Sequence, residues 1–347
     1  MHPQLSALGW DPVWEAIRST LAPDDAEPAR VAVQHRGGYI LYAADGEAPA
    51  AISGRLRHEA HFLSRLPVVG DWVLVRDGVI HAVLPRRTSF SRKVPLGQSE
   101  EQVVGANVDA VLVVEAIDGE LNTRRLERYL TAAYESGAEP AVLLNKMDLS
   151  PDSAAVVSGA RAVAPGTPVH ALSARTGEGL AALDMYCRPG RTVVFLGPSG
   201  VGKTSLLNAL SGEERPTASV LEDGRGRHTT THRELVIVPG RGMILDTPGM
   251  RELQLWDASA GLDAVFDDVT TLENGCRFGD CSHGGEPGCA IRAAIAAGTL
   301  AAERFASYQK LEREEAHVLR KRDKRALAEQ RREWRTIMRA RRARWTD

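Results

Sequence analysis

The segment Gly197-Pro-Ser-Gly-Val-Gly-Lys203-Thr204 limits the fold of this chain more than any other. It fits G-x-x-x-x-G-K-[ST], follows the apolar run Thr192–Leu196 and precedes the helix-forming run Ser205–Leu210. Such a loop works only between a strand and a helix. Its glycines let successive backbone N–H groups curl around phosphate oxygens, and the helix N-terminus adds positive potential. The expected phosphate contacts are Gly197, Pro198, Ser199, Gly200, Val201, Gly202, Lys203, Thr204 and Ser205. Lys203 would reach the β- and γ-phosphates, and the Thr204 hydroxyl would ligate Mg²⁺. A chance glycine-rich turn is the bland alternative. The strand-loop-helix context argues against it, as does a chain with only six lysines.

The surrounding pattern agrees. Val108–Ile117 is a near-continuous apolar run, Thr123–Ser136 has helical spacing, and Ala141–Leu144 is apolar again. Val169–Leu172, Leu235–Val238 and Gly242–Leu245 are further strand candidates. Apolar strands alternating with helices predict an α/β domain with a mainly parallel sheet.

Two of these strands end in recognition signals. Asn145-Lys-Met-Asp148 matches N-K-x-D, the guanine box of GTPases. A carboxylate at Asp148 can accept from guanine N1–H and N2–H₂, a pair that adenine lacks, so ATP would leave it unpaired. Asn145 would brace the loop and the Lys146 stem would pack on the base. Ser173-Ala174 matches the S-A box, whose backbone N–H meets guanine O6. Both boxes sit at strand C-termini, where α/β sheets bind ligands. Asp246-Thr-Pro-Gly249 resembles the D-x-x-G switch, with Asp246 on Mg²⁺ through water and the Gly249 N–H sensing the γ-phosphate. A second Mg²⁺ ligand is expected within Thr229-Thr230-Thr231. The residues do not rank the three, and Thr230 is the working assignment.

In Ras-like GTPases the phosphate loop comes first and the guanine boxes last. Here the boxes at Asn145 and Ser173 precede the loop at Gly197, so a circularly permuted Ras-like GTPase domain is expected. Permutation can preserve the site because domain termini often lie close together. The switch would then lead directly into the C-terminal region and could move it.

Upstream, Val31–Val33, Tyr39–Tyr42, Ala51–Leu56, Trp72–Val75 and Val79–Leu84 read as five short strands punctuated by glycine turns. A barrel of the OB type is expected, with a sandwich or SH3-like barrel as the alternative. The expected division is an N-terminal arm over 1–30, an OB-type RNA-binding barrel over 31–95, the permuted GTPase domain over 100–262, and a mostly helical zinc-binding domain over 263–347. Trp10–Leu21 reads as a short helix or a partly disordered arm.

Cys276-x₄-Cys281-x-His283-x₅-Cys289 supplies three thiolates and an imidazole within 14 residues. This is a complete tetrahedral set with no open position, as in a structural zinc site, one per chain. Cys187 stands apart and is expected to be an inert buried thiol. The chain has a net charge of −2, but Arg320–Asp347 holds 12 basic and 4 acidic residues. A basic tail interleaved with Trp334 and Trp345 points to RNA rather than to a merely solvated helix face. With no signal peptide and no apolar span of membrane length, a cytoplasmic protein without a membrane partner is expected. Monomer is the default.

These elements in this order resemble the ribosome small-subunit-dependent GTPase A family (RsgA, also called YjeQ). Local matches include Leu66-Pro-Val-Val-Gly-Asp-Trp72, Asn107-Val-Asp109, the phosphate loop, His228-Thr-Thr-Thr231 and the cysteine cluster. The resemblance implies a GTPase that binds GTP and GDP, the 30S subunit and its 16S rRNA. It would act late in small-subunit maturation, and the subunit would stimulate hydrolysis. Met250 stands where Ras-like enzymes carry a water-orienting Gln, so intrinsic turnover should be slow. His228 is the candidate catalytic residue, on its position before the switch threonines and on the resemblance. A GTP-dependent RNA-binding clamp, or a permuted GTPase acting on another RNA, are the rival readings.

Overall fold

The computed structural model describes residues 2–21, 26–35, 37–59, 65–93, 101–117, 121–150, 153–213, 233–246 and 259–320. Five N-terminal strands close a barrel: β1 (Glu27–Gln34), β2 (Tyr39–Ala43), β3 (Gly46–Ile52), β4 (Trp72–Arg76) and β5 (Val79–Val83). Their order is β1-β2-β3-β5-β4, and β4 pairs back onto β1. All pairs are antiparallel except β3 with β5. This is the five-stranded barrel expected from the glycine-punctuated runs. Ala29, Val31, Tyr39, Leu41, Ala50, Val73 and Ile80 fill it.

The boundaries differ from the sequence reading. β1 starts at Glu27 rather than 31. The run Ala51–Leu56 is strand only to Ile52. Ser53 Oγ then accepts from the Leu56 N–H (3.0 Å), which turns the chain into helix α3 (Gly54–Glu59). β6 (Ser89–Lys93) and β7 (Glu101–Ala106) form their own antiparallel ribbon across the expected 95/100 boundary. The N-terminal segment is folded: α1 (Pro3–Ala7) and α2 (Pro12–Leu21) bring Trp10 and Trp14 against Trp72. Arg87 lies over the Trp14 ring at 4.3 Å and pairs with both Asp11 oxygens at 2.6 and 2.7 Å.

The second unit is a parallel sheet ordered β10-β9-β8-β11-β13, with β12 antiparallel at its far side. Its strands are β8 (Ala110–Ala116), β9 (Glu139–Asn145), β10 (Val169–Ala171), β11 (Thr192–Leu196), β12 (Glu234–Ile237) and β13 (Met243–Asp246). The continuous apolar run at β8 follows from burial on both faces. Val111 and Val113 pack with Leu126 and Leu130 of α4 (Thr123–Glu135). Leu112 and Val114 pack with Leu206 and Leu207 of α6 (Lys203–Ser211). Helix α5 (Ser153–Val163) joins the α4 face. Cys187 is buried, and desolvation pushes its thiol up to about 11, as an inert thiol requires.

Barrel and sheet meet at β1. Val33 pairs with Glu234 of β12, and the Tyr42 hydroxyl donates to Leu235 O at 3.0 Å. Arg30 alternates to the side of β1 away from the barrel core and is 2% exposed. Its guanidinium donates to the carbonyls of Leu8, Gly70 (3.2 Å) and Asn107 (2.8 Å). Burial pulls it down to about 10, so it remains charged at neutral pH. One side chain thus joins the N-terminal helices, the barrel and the link into the parallel sheet.

Of the C-terminal helices, α7 (Ser259–Val265) and the helix over 302–320, here α10, dock on α4, while α8 (Asp267–Glu273) packs against α7 and α9 (Ala290–Ala296) against α8. Gly261 touches α4 so closely that a Cβ there would collide with Thr131 O, and its N–H donates to Glu135 Oε2 at 3.0 Å. α7 therefore packs on α4 across the expected 262/263 boundary. Arg304 of α10 bridges Glu127 (3.0 Å) and Asp268 (2.6 Å), Ser307 donates to Glu127, and Arg128 pairs with Glu314 at 2.8 Å. Among the described residues no helix is long and apolar enough to cross a membrane.

Replacing Arg30 with Ala removes a buried donor from three carbonyls at once, of which Gly70 O keeps the Asn107 side-chain amide at 3.1 Å. The expected loss is about 3 kcal/mol or more of unfolding free energy, read by urea denaturation. A loss below about 1 kcal/mol would show that Arg30 does not hold the junction.

Candidate functional site

Three loops converge at the C-terminal ends of the parallel strands, and Asn145 joins them. It ends β9 and is 2% exposed. Its Nδ2 donates to Val201 O in the phosphate loop at 2.8 Å, and its Oδ1 accepts from the Ala174 N–H at 3.0 Å. The first guanine box is thereby fastened to both the loop and the second box. An aspartate at this position would lose the donor, and alanine would lose both bonds.

The phosphate loop runs from β11 into α6, with Gly202 as the residue before the first helical turn. Gly202 has φ +95°, and a Cβ there would collide with Asn145 Nδ2, so only glycine lets the loop and the guanine box meet. Lys203 Nζ donates to the carbonyls of Gly197 (2.7 Å) and Pro198 (2.6 Å), which arches the loop back over its own start. Its ammonium thus stands inside the cradle of Gly197, Pro198, Ser199, Gly200 and Val201. Thr204 and Ser205 occupy the first turn of α6, directly after Lys203.

Lys146 takes a left-handed conformation (φ 65°) that leads into the short 3₁₀ turn Met147–Leu149. Met147 N–H then bonds Leu172 O at 3.1 Å, setting Asp148 beside the second box. Asp148 Oδ1 accepts from the Ser173 hydroxyl at 2.5 Å, and Oδ2 from Arg175 at 2.7 Å. The Ser173 bond, with the Arg175 guanidinium, holds the Asp148 carboxyl below the usual carboxylate range. Each oxygen keeps a second lone pair for a guanine N–H. Arg175 was not among the sequence candidates. Its signal is its place directly after the S-A box, where an extended side chain reaches back to the carboxylate.

Asp246 ends β13, whose parallel pairing with β11 brings it to the same edge as the phosphate loop. A Thr204 hydroxyl and an Asp246 carboxylate are hard oxygen donors of the kind Mg²⁺ prefers. Gly249, Met250, His228, the threonines 229–231, Arg225 and Arg227 lie outside the described residues, as does the arginine-rich tail beyond 320.

The ligand atoms of Cys276, Cys281, His283 and Cys289 all lie within 4.8 Å of one another. His283 Nδ1 is 3.7 Å from Cys276 Sγ and 3.4 Å from Cys289 Sγ. A tetrahedral ion with ordinary Zn–S and Zn–N lengths spaces such atoms by about 3.6 Å, so the set fits a metal of that type. The amides of Ala290 and Arg292 point at Cys276 Sγ (3.4 Å) and Cys289 Sγ (3.5 Å), and would stabilise thiolates at the start of α9.

The sequence model described as RsgA GTPase matches residues 83–256. A protein of Opitutus terrae named small ribosomal subunit biogenesis GTPase RsgA is 45% identical, over 98% of this chain and 97% of its own length. A protein of the same name from Streptomyces coelicolor is 42% identical over 96% and 92%. The crystal structure of YjeQ from Thermotoga maritima superposes with a TM-score of 0.61 at 27% identity, covering 84% of this chain and 99% of that one. YloQ, described as a circularly permuted GTPase, gives 0.58 at 24% identity, over 85% and 96%, a likeness of fold.

Changing Asp148 to Asn removes one acceptor and supplies a donor. GDP affinity is expected to fall at least about 100-fold, while XDP, which carries a carbonyl at C2, should bind better than GDP. In the parent, guanine affinity should persist as pH falls through the ordinary carboxylate range and fail only below the depressed value of Asp148. Both are read by titration with fluorescent nucleotides.

Proposed function

The chain belongs to the RsgA GTPase family, and from that premise we propose that it hydrolyses GTP in the service of small-ribosomal-subunit biogenesis. The observation that carries this reading is the Asn145 amide. By bonding Val201 O and the Ala174 N–H it fastens a phosphate loop to two guanine boxes whose chain order is permuted.

The residue roles follow from the chemistry. Asp148 selects guanine, the Ala174 N–H lies at the O6 side, and the Lys146 stem covers the base. The amides of the loop from Gly197 to Thr204 and the Lys203 ammonium receive the β- and γ-phosphates. Thr204, Asp246 and a switch threonine, with Thr230 the working choice, would hold Mg²⁺, which would supply charge neutralisation at those oxygens. Hydrolysis adds water to the γ-phosphorus and releases GDP and phosphate. Met250 offers no polar atom to orient that water, so the unassisted reaction is slow. His228 is the residue that would hydrogen-bond the attacking water once the switch is ordered by a bound partner. Arg225 and Arg227 are alternative donors to transition-state charge.

The partner in this reading is the 30S subunit through its 16S rRNA. The barrel and the basic C-terminal tail, +8 between residues 320 and 347, are the proposed RNA contacts. The cysteine cluster holds one structural Zn²⁺, since three thiolates and an imidazole leave no open position for catalysis. The protein works in the cytoplasm, where subunits mature.

GTP turnover measured alone, with purified small subunits, with large subunits and with bulk RNA tests the proposal. Strong stimulation is expected from small subunits only. Equal stimulation by any RNA would leave a generic RNA-activated GTPase, and GTP binding without turnover would leave a clamp. His228→Ala should bind GTP normally and lose most of the subunit-stimulated rate, about 100-fold or more for a water-positioning group. Full stimulated turnover in that variant would remove the assignment.

A further inference from the structure

The metal cluster is connected beyond its four ligands. With Nδ1 turned toward Cys276 and Cys289, His283 directs Nε2 away from the cluster, to Glu273 Oε1 at 3.1 Å. The other oxygen of Glu273 accepts from the Tyr308 hydroxyl at 3.1 Å. Phe305, one turn before Tyr308, meets the His283 ring edge-on with centroids 5.6 Å apart. His283, at φ 59°, is one of the few non-glycine residues in the left-handed region. Its backbone is held in an uncommon conformation, and its ring is fixed on two sides by residues from outside the cysteine loop.

We infer that Glu273 and Tyr308 are positioning residues for the metal. Glu273 accepts the Nε2 proton of His283, which fixes the tautomer whose Nδ1 lone pair points at the ion. Tyr308 holds the carboxylate in place. The physical reason is general: a ligating imidazole donates its other N–H to a carboxylate, which sets the ring orientation and makes the ligand more basic. Burial and the Glu273 charge both push the Tyr308 ionisation up, so the hydroxyl keeps the proton that it donates. The chain His283–Glu273–Tyr308 also starts on the cysteine loop, passes through the end of α8 and finishes on α10. Four residues before Tyr308, Arg304 grips Glu127 of α4. Ion binding and the seating of α10 on the nucleotide domain are therefore linked through one helix.

This inference rests on the reading of the cluster as a zinc site, and the experiment separates the two. The full-length parent and its Glu273→Ala, Glu273→Gln and Tyr308→Phe variants are titrated with Zn²⁺ against a chromophoric chelator. GDP binding is measured on the same samples. Glu273→Ala is expected to weaken Zn²⁺ binding by about 10–100-fold, and Tyr308→Phe by about 3–10-fold. Glu273→Gln should stay near the parent, because an amide oxygen still accepts from Nε2–H. GDP affinity should hold in all of them. Parental Zn²⁺ affinity in both Glu273→Ala and Tyr308→Phe would overturn the inference, as would a loss in Glu273→Gln as large as in Glu273→Ala. A parent that binds no stoichiometric Zn²⁺ would instead overturn the zinc reading. Should Glu273→Ala fail to fold, Tyr308→Phe, which keeps the ring and removes only the hydroxyl, decides the matter.

Discussion

The Asn145 amide is the contact on which the nucleotide site depends. A carboxamide has a donor end and an acceptor end, and here each end is used on a different loop: Val201 O on one side, the Ala174 N–H on the other. It is buried at the end of β9, so both loops gain a fixed reference. Gly202 completes the arrangement by leaving room for that amide. Base recognition and phosphate binding then cannot drift independently, although the segments that perform them are far apart in the chain.

Much of this was legible in the sequence because it is local. The phosphate loop, the two boxes and the cysteine spacing are short patterns whose chemistry demands particular residues at particular offsets. Period-2 alternation was visible in the barrel, and the unbroken apolar run at β8 announced a strand covered on both faces. The remainder depends on contacts between distant segments. Arg30 reads as an ordinary strand arginine until the carbonyls of Leu8, Gly70 and Asn107 converge on it. Trp10 and Trp14 look like a loose arm until Trp72 is placed beneath them. Glu127 gave no sign of burial, because its partners Arg304 and Ser307 lie some 180 positions away.

The C-terminal region changes the mechanical picture suggested by motif order. A switch that leads straight into a new domain invites the idea of a lever. The docked helices instead rest on α4, through the close approach of Gly261 to Thr131 and the charged cluster of Arg304, Glu127 and Asp268. Burial raises the Glu127 carboxyl, while Ser307 and Arg304 favour its charged form. Movement of these helices away from α4 would have to break this cluster.

The permuted strand order has a consequence during synthesis. β8, β9 and β10 leave the ribosome as a three-stranded parallel fragment, with β8 at an open edge. Its natural neighbour β11 begins only at Thr192. At an elongation rate of about 5–20 residues per second, that edge waits on the order of 4–15 s for its partner. An apolar, unpaired strand is a template for wrong pairing. A chain with this topology passes, as it is made, through an interval in which an apolar strand of its central sheet is unprotected.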